Sequence, residues 1–323
     1  MFGFSRARPY SIGVDVGSDC LRLVQLAENG RGMKLVAGRS RDCPDDVRPG
    51  SAGWQRWAVE AMRFLTVHGG FSGRDVIAAI PCEALFIDHI RVSKANDGKL
   101  DDVAFAKIKA KLPFEPVRAN LMMKCIRTDD ENVVVMAAER KIIDRHLAIY
   151  EAANLHIKTI AVWPLALINC YTRFFGRRQS DVEAVVMLIS IEDERTNVVV
   201  CRHKNLLFAR SISIGAKHFG GDGVVTRLVL ELTACCRQFS SMHREAQIER
   251  LIFLAGRAVD RETCATIAKQ LEMPAQTGDC LAAVQIADPY RLGIDRRSGS
   301  SEETATSPKQ QLNWATAFGL SLS

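Results

Sequence analysis

Hydrophobic and polar positions change their period several times along this chain, and the changes mark out two similar blocks. In the first, apolar and β-branched runs at residues 11–16, 20–27 and 33–39 are separated by short turns at Gly17 and at Asn29-Gly30. Runs of that length with polar turns between them predict three strands joined as hairpins. The second block repeats the plan at residues 183–191, 196–201 and 206–214, with turns at 192–195 and 203–205. After each triplet the period lengthens. Residues 55–67 carry Trp57, Ala61, Phe64 and Leu65 at helical spacing. Further helices are predicted at 99–112, 139–153, 163–175, 224–243 and 261–271, and shorter strands at 75–80, 86–92, 121–125, 133–138 and 250–254. A duplicated strand triplet, each copy followed by helices, predicts an α/β fold of two related lobes. Residues 293–313 are rich in Ser, Thr, Glu, Lys and Arg, which predicts a mobile loop. A terminal helix at 314–320 would then dock back on the body.

Composition narrows the function classes. At 323 residues the chain has ample length for two lobes, and 47% hydrophobic with 25% charged residues is the balance of a soluble globular protein. The net charge of +6 is not gathered into a basic stripe with interleaved aromatics, which argues against nucleic-acid binding. The most apolar stretch, 159–171, contains Pro164 and Asn169 and falls short of the ~20 residues a membrane span requires. The N-terminal segment lacks the apolar core of a signal peptide. Phe2 and Phe4 beside Arg6 and Arg8 fit either a frayed tail or a contact with a membrane surface. The ten cysteines contain no C-x-x-C pair, so they read as reduced, mostly buried thiols and no metal site is expected.

The candidate chemistry begins at Ile12-Gly13-Val14-Asp15-Val16-Gly17-Ser18-Asp19. A buried strand ending in a Gly-Ser turn presents backbone N–H groups that can approach a phosphate, because Gly17 has no Cβ in the way. Asp15 stands where it can orient a metal-bound water. An ordinary hairpin with a glycine turn fits the same residues, and both readings stay open at this point.

These residues belong to a longer set: 13–18, 21–26, Val76-Ile-Ala-Ala-Ile-Pro81, Lys111-Leu-Pro-Phe-Glu-Pro116, Val133 to Arg140, Leu251-Ile-Phe-Leu-Ala-Gly256 and Ala317-Phe-Gly-Leu320. In order and spacing the set resembles the actin-like ATPase superfamily, and within it the PilM family of type IV pilus assembly proteins. The resemblance implies an actin-like, ribonuclease H-like duplicated two-lobed fold with a small inserted subdomain. The first lobe would span 1–181, with the insertion near 86–138, and a trimmed second lobe would span 182–323. It implies ATP and Mg between the lobes, held by Asp15, Gly17, Ser18 and Asp19 on one side and by Gly256 and Arg257 at the adenosine. It also implies a partner, the short cytoplasmic peptide of a PilN-like bitopic inner-membrane protein, taken up beside Leu112, Pro113 and Phe114 at the inner face of the cytoplasmic membrane. A helix stop with Phe114 in the core fits the last three residues equally well.

The sequence departs from the family pattern at the second phosphate turn. Where the superfamily carries Asp-x-Gly, this chain reads Ser190-Ile191-Glu192, followed by Asp193, Glu194 and Arg195. One like charge at about 4 Å costs ~1 kcal/mol in water-like surroundings and ~4 kcal/mol at an effective dielectric of 20. Two or three such contacts offset much of a micromolar affinity, which is worth about 8 kcal/mol. Arg257 replaces a second glycine, and Gly220-Gly-Asp-Gly223 is a short link where relatives carry extra helical turns. The expectation is therefore an adaptor with a degenerate nucleotide cleft. Two alternatives remain. An active ATP-binding protein, either an ATPase or a small-molecule kinase, needs both phosphate turns. A cell-division adaptor of the FtsA type attaches through a C-terminal amphipathic helix, which residues 318–323 do not provide.

Overall fold

Local sequence signals start the elements that carry the two sheets. The computed structural model describes residues 8–17, 20–30, 32–256, 259–286 and 312–323. The first hairpins are β1 (Ile12–Val16), β2 (Cys20–Asn29) and β3 (Gly32–Asp42). Ser51 then caps helix α1 (Ala52–His68), its hydroxyl accepting from the Trp54 N–H at 3.1 Å. That helix buries Trp54, Trp57, Ala58, Ala61 and Leu65 along one stripe against the sheet. The chain continues through β4 (Asp75–Ile80), β5 (Phe86–Arg91), α2 (Leu100–Ile108), β6 (Leu121–Arg127), β7 (Asn132–Glu139), α3 (Arg140–Ala152) and β8 (His156–Val162).

Helices α4 (Trp163–Phe174) and α5 (Gln179–Glu183) lead to the second triplet, β9 (Val185–Ile191), β10 (Thr196–Arg202) and β11 (Asn205–Ile212). All seven residues of β9 are buried, as a central strand covered on both faces requires. After α6 (Val224–Met242) come β12 (Arg250–Phe253), α7 (Arg261–Gln270), β13 (Ala275–Thr277), β14 (Gln285–Ile286) and α8 (Ala315–Ser321).

The duplication is explicit in the strand order. The first sheet runs β14-β3-β2-β1-β4-β8 and the second runs β11-β10-β9-β12-β13. In each sheet an antiparallel triplet is extended by two parallel strands, so five strands correspond one for one. A third, antiparallel sheet, β5-β7-β6, is inserted between β4 and α3 and covered by α2. The expected α/β, two-lobed architecture with an insertion in the first lobe is the one observed.

Three expectations are corrected. The helix predicted over 99–112 ends at Ile108, where Lys111 N–H closes a turn on the Ile108 carbonyl. The stretch 182–323 does not stay with the second sheet: β14 pairs with β3, and α8 packs on β1, β2, β4 and α4. Of the loop expected at 293–313, residues 293–311 lie outside the described residues, but Leu312 and Asn313 are buried. Asn313 Nδ2 donates to Ser190 Oγ at 2.8 Å and to the Ile191 carbonyl at 3.1 Å, which fixes a polar residue that composition alone assigns to solvent.

Helix α8 is buried over its whole length between the first sheet and α4. Its close approach depends on Gly319, where a Cβ would lie 1.8 Å from the Ala166 carbonyl oxygen of α4. Helix α4 in turn packs against β8, β9, β10 and β11, so these two helices form the joint between the lobes.

Candidate functional site

The cleft between the lobes has one wall from the end of β1 and one from the β9–β10 turn. Asp15 faces Arg22 across the β1–β2 pair, with Arg22 Nη1 3.4 Å from Asp15 Oδ2 and the Arg22 side chain only 2% exposed. Gly17 N–H donates to the Cys20 carbonyl at 2.9 Å and closes the first turn. Ser18 and Asp19, the other expected phosphate contacts, lie outside the described residues. The floor is the end of β4 and the short 3-10 turn Cys82–Ala84, which carries Glu83.

The second wall is committed to internal bonds. Glu192 N–H donates to the Arg195 carbonyl at 2.8 Å, forming the turn itself. The Glu192 and Asp193 carbonyls accept from Ala216 N–H at 2.8 Å and Lys217 N–H at 3.1 Å. This backbone stacking needs Gly215: a Cβ there would stand 2.3 Å from the Asp193 carbonyl oxygen and 2.4 Å from both the Arg195 nitrogen and the Glu192 carbonyl oxygen.

Two of the three acidic residues of the turn line the cleft. Glu192 and Glu194 both border it. Glu192 Oε1 receives Asn197 Nδ2 at 3.4 Å, and Glu194 pairs with Lys217. Arg195 reaches across to the first lobe, its Nε 3.2 Å from Glu83 Oε1, while Nη1 donates to Ser213 Oγ at 3.1 Å. Ser190, where the family's Asp is expected, is fully buried with its hydroxyl engaged by Asn313. Burial pushes the Cys82 thiol up, and the nearby Glu83 and Glu192 add to the rise.

The open space left among these groups is about 20 Å³. That is room for about one water, whereas small-molecule sites occupy roughly 300–1,000 Å³. The Glu83–Arg195 pairing, the Gly215 support and the Asn313 bridge were not identified from sequence. Each partner is distant in the chain and carries no periodic signal of its own.

A larger cavity of about 620 Å³ opens at the carboxyl ends of β12 and β13. Phe175, Phe253, Ala255, Gly256, Cys264 and Thr277 contribute to its lining. Gly256 adopts a left-handed φ of 58°, and its α-carbon faces the Leu312 carbonyl, which a Cβ would approach to 3.1 Å. Segment 312–313 therefore runs from Gly256 to Ser190, between this cavity and the acidic turn. Arg257 lies outside the described residues. Asp260 caps α7, accepting from Thr263 N–H and Oγ1 at 2.7 Å each, and these bonds hold its carboxyl below the usual range. Among the described residues no group of three His, Cys, Asp or Glu side chains is placed to hold a metal ion.

The residues singled out for a partner lie on the inserted sheet. Leu112 and Phe114 are half-buried and pack against its core beside Ile90, Ala104, Ile108 and Val133, while Pro113 is exposed. Close in sequence, Val117 at 38% and Met122 at 42% are exposed large apolar side chains. Met122 belongs to β6, an edge strand that among the described residues pairs with β7 alone.

No family model and no curated protein matches this chain. Solved structures do. The PilM-PilN type IV pilus biogenesis complex superposes with a TM-score of 0.73 at 18% identity, covering 97% of this chain and 98% of the other. The ethanolamine utilization protein EutJ from Carboxydothermus hydrogenoformans gives 0.53 at 12% identity, covering 98% and 90%. The cytoplasmic domain of EpsL, an inner-membrane component of the type II secretion system of Vibrio cholerae, gives 0.50 at 10% identity, covering 76% and 82%. At these identities the likeness establishes the fold, which is the actin-like ATPase fold. No helix among the described residues is long and apolar enough to cross a membrane.

Proposed function

We propose that this chain is a pilus- or secretion-type assembly adaptor that holds the cytoplasmic peptide of a PilN-like membrane protein at the inner face of the cytoplasmic membrane. The observation that carries the reading is the end-to-end likeness to the structure of a PilM-PilN complex, which leaves 3% of this chain and 2% of that one uncovered. The peptide's place is the surface beside Leu112, Pro113 and Phe114. Val117 and Met122 provide apolar contact there, and the free edge of β6 accepts an extended strand. We assign 1–181 to the first lobe and the body of 182–284 to the second, with β14 and α8 returned to the first.

ATP and Mg do not fit the cleft. A triphosphate needs space and inward-facing amides on both walls. The second turn offers carboxylates, spends the Glu192 N–H on the Arg195 carbonyl, and leaves about 20 Å³. Asp15, Gly17, Gly256 and the outlying Ser18, Asp19 and Arg257 are on this reading remnants of a nucleotide site.

Two measurements test the proposal. Co-expression with a neighbouring gene product that has a short cytoplasmic tail and one transmembrane helix should give a complex, and Met122→Asp should abolish it. A tail that binds wild type and Met122→Asp equally removes the proposed groove. Calorimetric titration with Mg-ATP should show no micromolar binding; a micromolar isotherm would return the chain to the ATP-binding class.

A further inference from the structure

We infer that the two lobes are locked in one relative position by ties made within the chain, so that closure of the cleft needs no nucleotide. The inference rests on the reading of the cleft as a non-nucleotide site and is independent of which partner binds. Two-lobed clefts open by rotation about the joint, and here that rotation meets resistance at two places besides the joint itself.

The first tie is Glu83–Arg195, which spans the cleft from the end of β4 to the β9–β10 turn. A partly exposed ion pair alone holds little. This one is backed by the Arg195–Ser213 bond and by the Gly215–Lys217 backbone that pins the turn from behind. The Arg195 guanidinium thus stands between the walls as a built-in bridge, where a bound ligand would otherwise join them.

The second tie is the inserted sheet, which leaves the first lobe immediately after Glu83 and rests on the second lobe. His89 on β5 accepts the Ala209 N–H of β11 at Nε2, 3.2 Å away, and its ring stacks on Phe208 at 4.3 Å and 12°. Arg91 donates to the Ser241 carbonyl at 3.1 Å, and the buried Asn132 donates to the Met242 carbonyl at 2.9 Å. His243 Nδ1 lies 2.9 Å from Asp129 Oδ2, joining the end of α6 to the β6–β7 turn. Opening the cleft moves the end of β4 away from the β9–β10 turn and, with it, shears this sheet off β11 and α6. The insertion acts as a strut.

The test is a distance distribution between a nitroxide at position 67 on α1 and one at position 230 on α6, both attached through noncanonical amino acids. Val67 and Leu230 are 72% and 65% exposed, so the labels disturb little. The wild-type chain should give a single narrow peak that saturating Mg-ATP leaves in place. Glu83→Gln combined with His89→Ala should lose that narrow peak for a broad distribution, and the milder Glu83→Gln with Arg91→Ala should do so in part. A broad wild-type distribution, or one that shifts with Mg-ATP, overturns the lock. So does a narrow peak retained in a folded double variant. Calorimetry on the same samples separates the two claims: Mg-ATP binding without a shift leaves the lock standing and defeats the reading of the cleft.

Discussion

Gly215 stands beneath the β9–β10 turn with three backbone atoms within 2.4 Å of where a Cβ would be. Gly215→Ala must push the turn toward the first lobe, and overpacking of this kind costs about 1–3 kcal/mol. Urea unfolding should show that loss at unchanged m-value, and an alanine variant as stable as wild type would mean that the turn yields freely. At this scale the sequence was legible where a motif fixes order along one strand. Ser190 and Glu192 stand out because they occupy the places of an expected Asp and Gly; Glu192 lines the cleft, whereas Ser190 is buried behind it against Asn313. Glu83 and Asn313 were not legible. Each matters through a partner far away in the chain, Arg195 or Ser190, and a polar residue in a polar stretch gives no sign that it will be buried. Leu112 and Phe114 show the converse, since a helix stop and a half-buried apolar pair satisfy both core packing and a surface role.

Among the elements, hairpin triplets were the clearest signal because their pairing is local: each strand finds its neighbour across a short turn. The parallel strands at the sheet edges were harder, while β4 and β12 fall where their apolar runs predict them. β8 is exposed at three of its seven positions and its apolar residues run on into α4, so no period separates the two. β13 and β14 have three and two residues and are stabilised by the strands they join, not by their own composition. Helix α8 was anticipated, although its depth was not. A Cβ at Gly319 would overlap the Ala166 carbonyl at 1.8 Å, so Gly319→Ala forces α8 off α4 and should cost at least ~2 kcal/mol by the same overpacking argument. Thermal denaturation would read this as a lowered Tm. An unchanged Tm would show that the helix is held elsewhere.

For the whole molecule, the strut makes stability depend on pH. Burial lowers His89 to about 4, with Arg210, Lys111 and His243 adding to the shift and Asp88 opposing it. Burial likewise lowers His146, beside Arg145, to about 4. Both folded values lie below the ordinary 6.5, so the unfolded chain binds protons first. The stability is present in full above pH 6.5 and is lost as pH falls from 6.5 toward 4. At pH 5 the loss is about 2 kcal/mol for each histidine. Denaturant titrations at pH 7 and pH 5 measure the sum, and the protection factor of the Ala209 amide should fall only as pH drops through about 4, where folded His89 ceases to accept its hydrogen bond. Equal stability at the two values would place both imidazoles in water.

The return of α8 to the first sheet also decides when that sheet can be finished. Ser321 bonds to the Ser11 carbonyl across 310 positions, and its hydroxyl receives the Leu26 N–H as well. During synthesis β1 leaves the ribosome about 300 positions ahead of its covering helix. Until that helix follows, a greasy flank of β1 and β2 stands bare, and the nascent chain must be shielded by something other than itself.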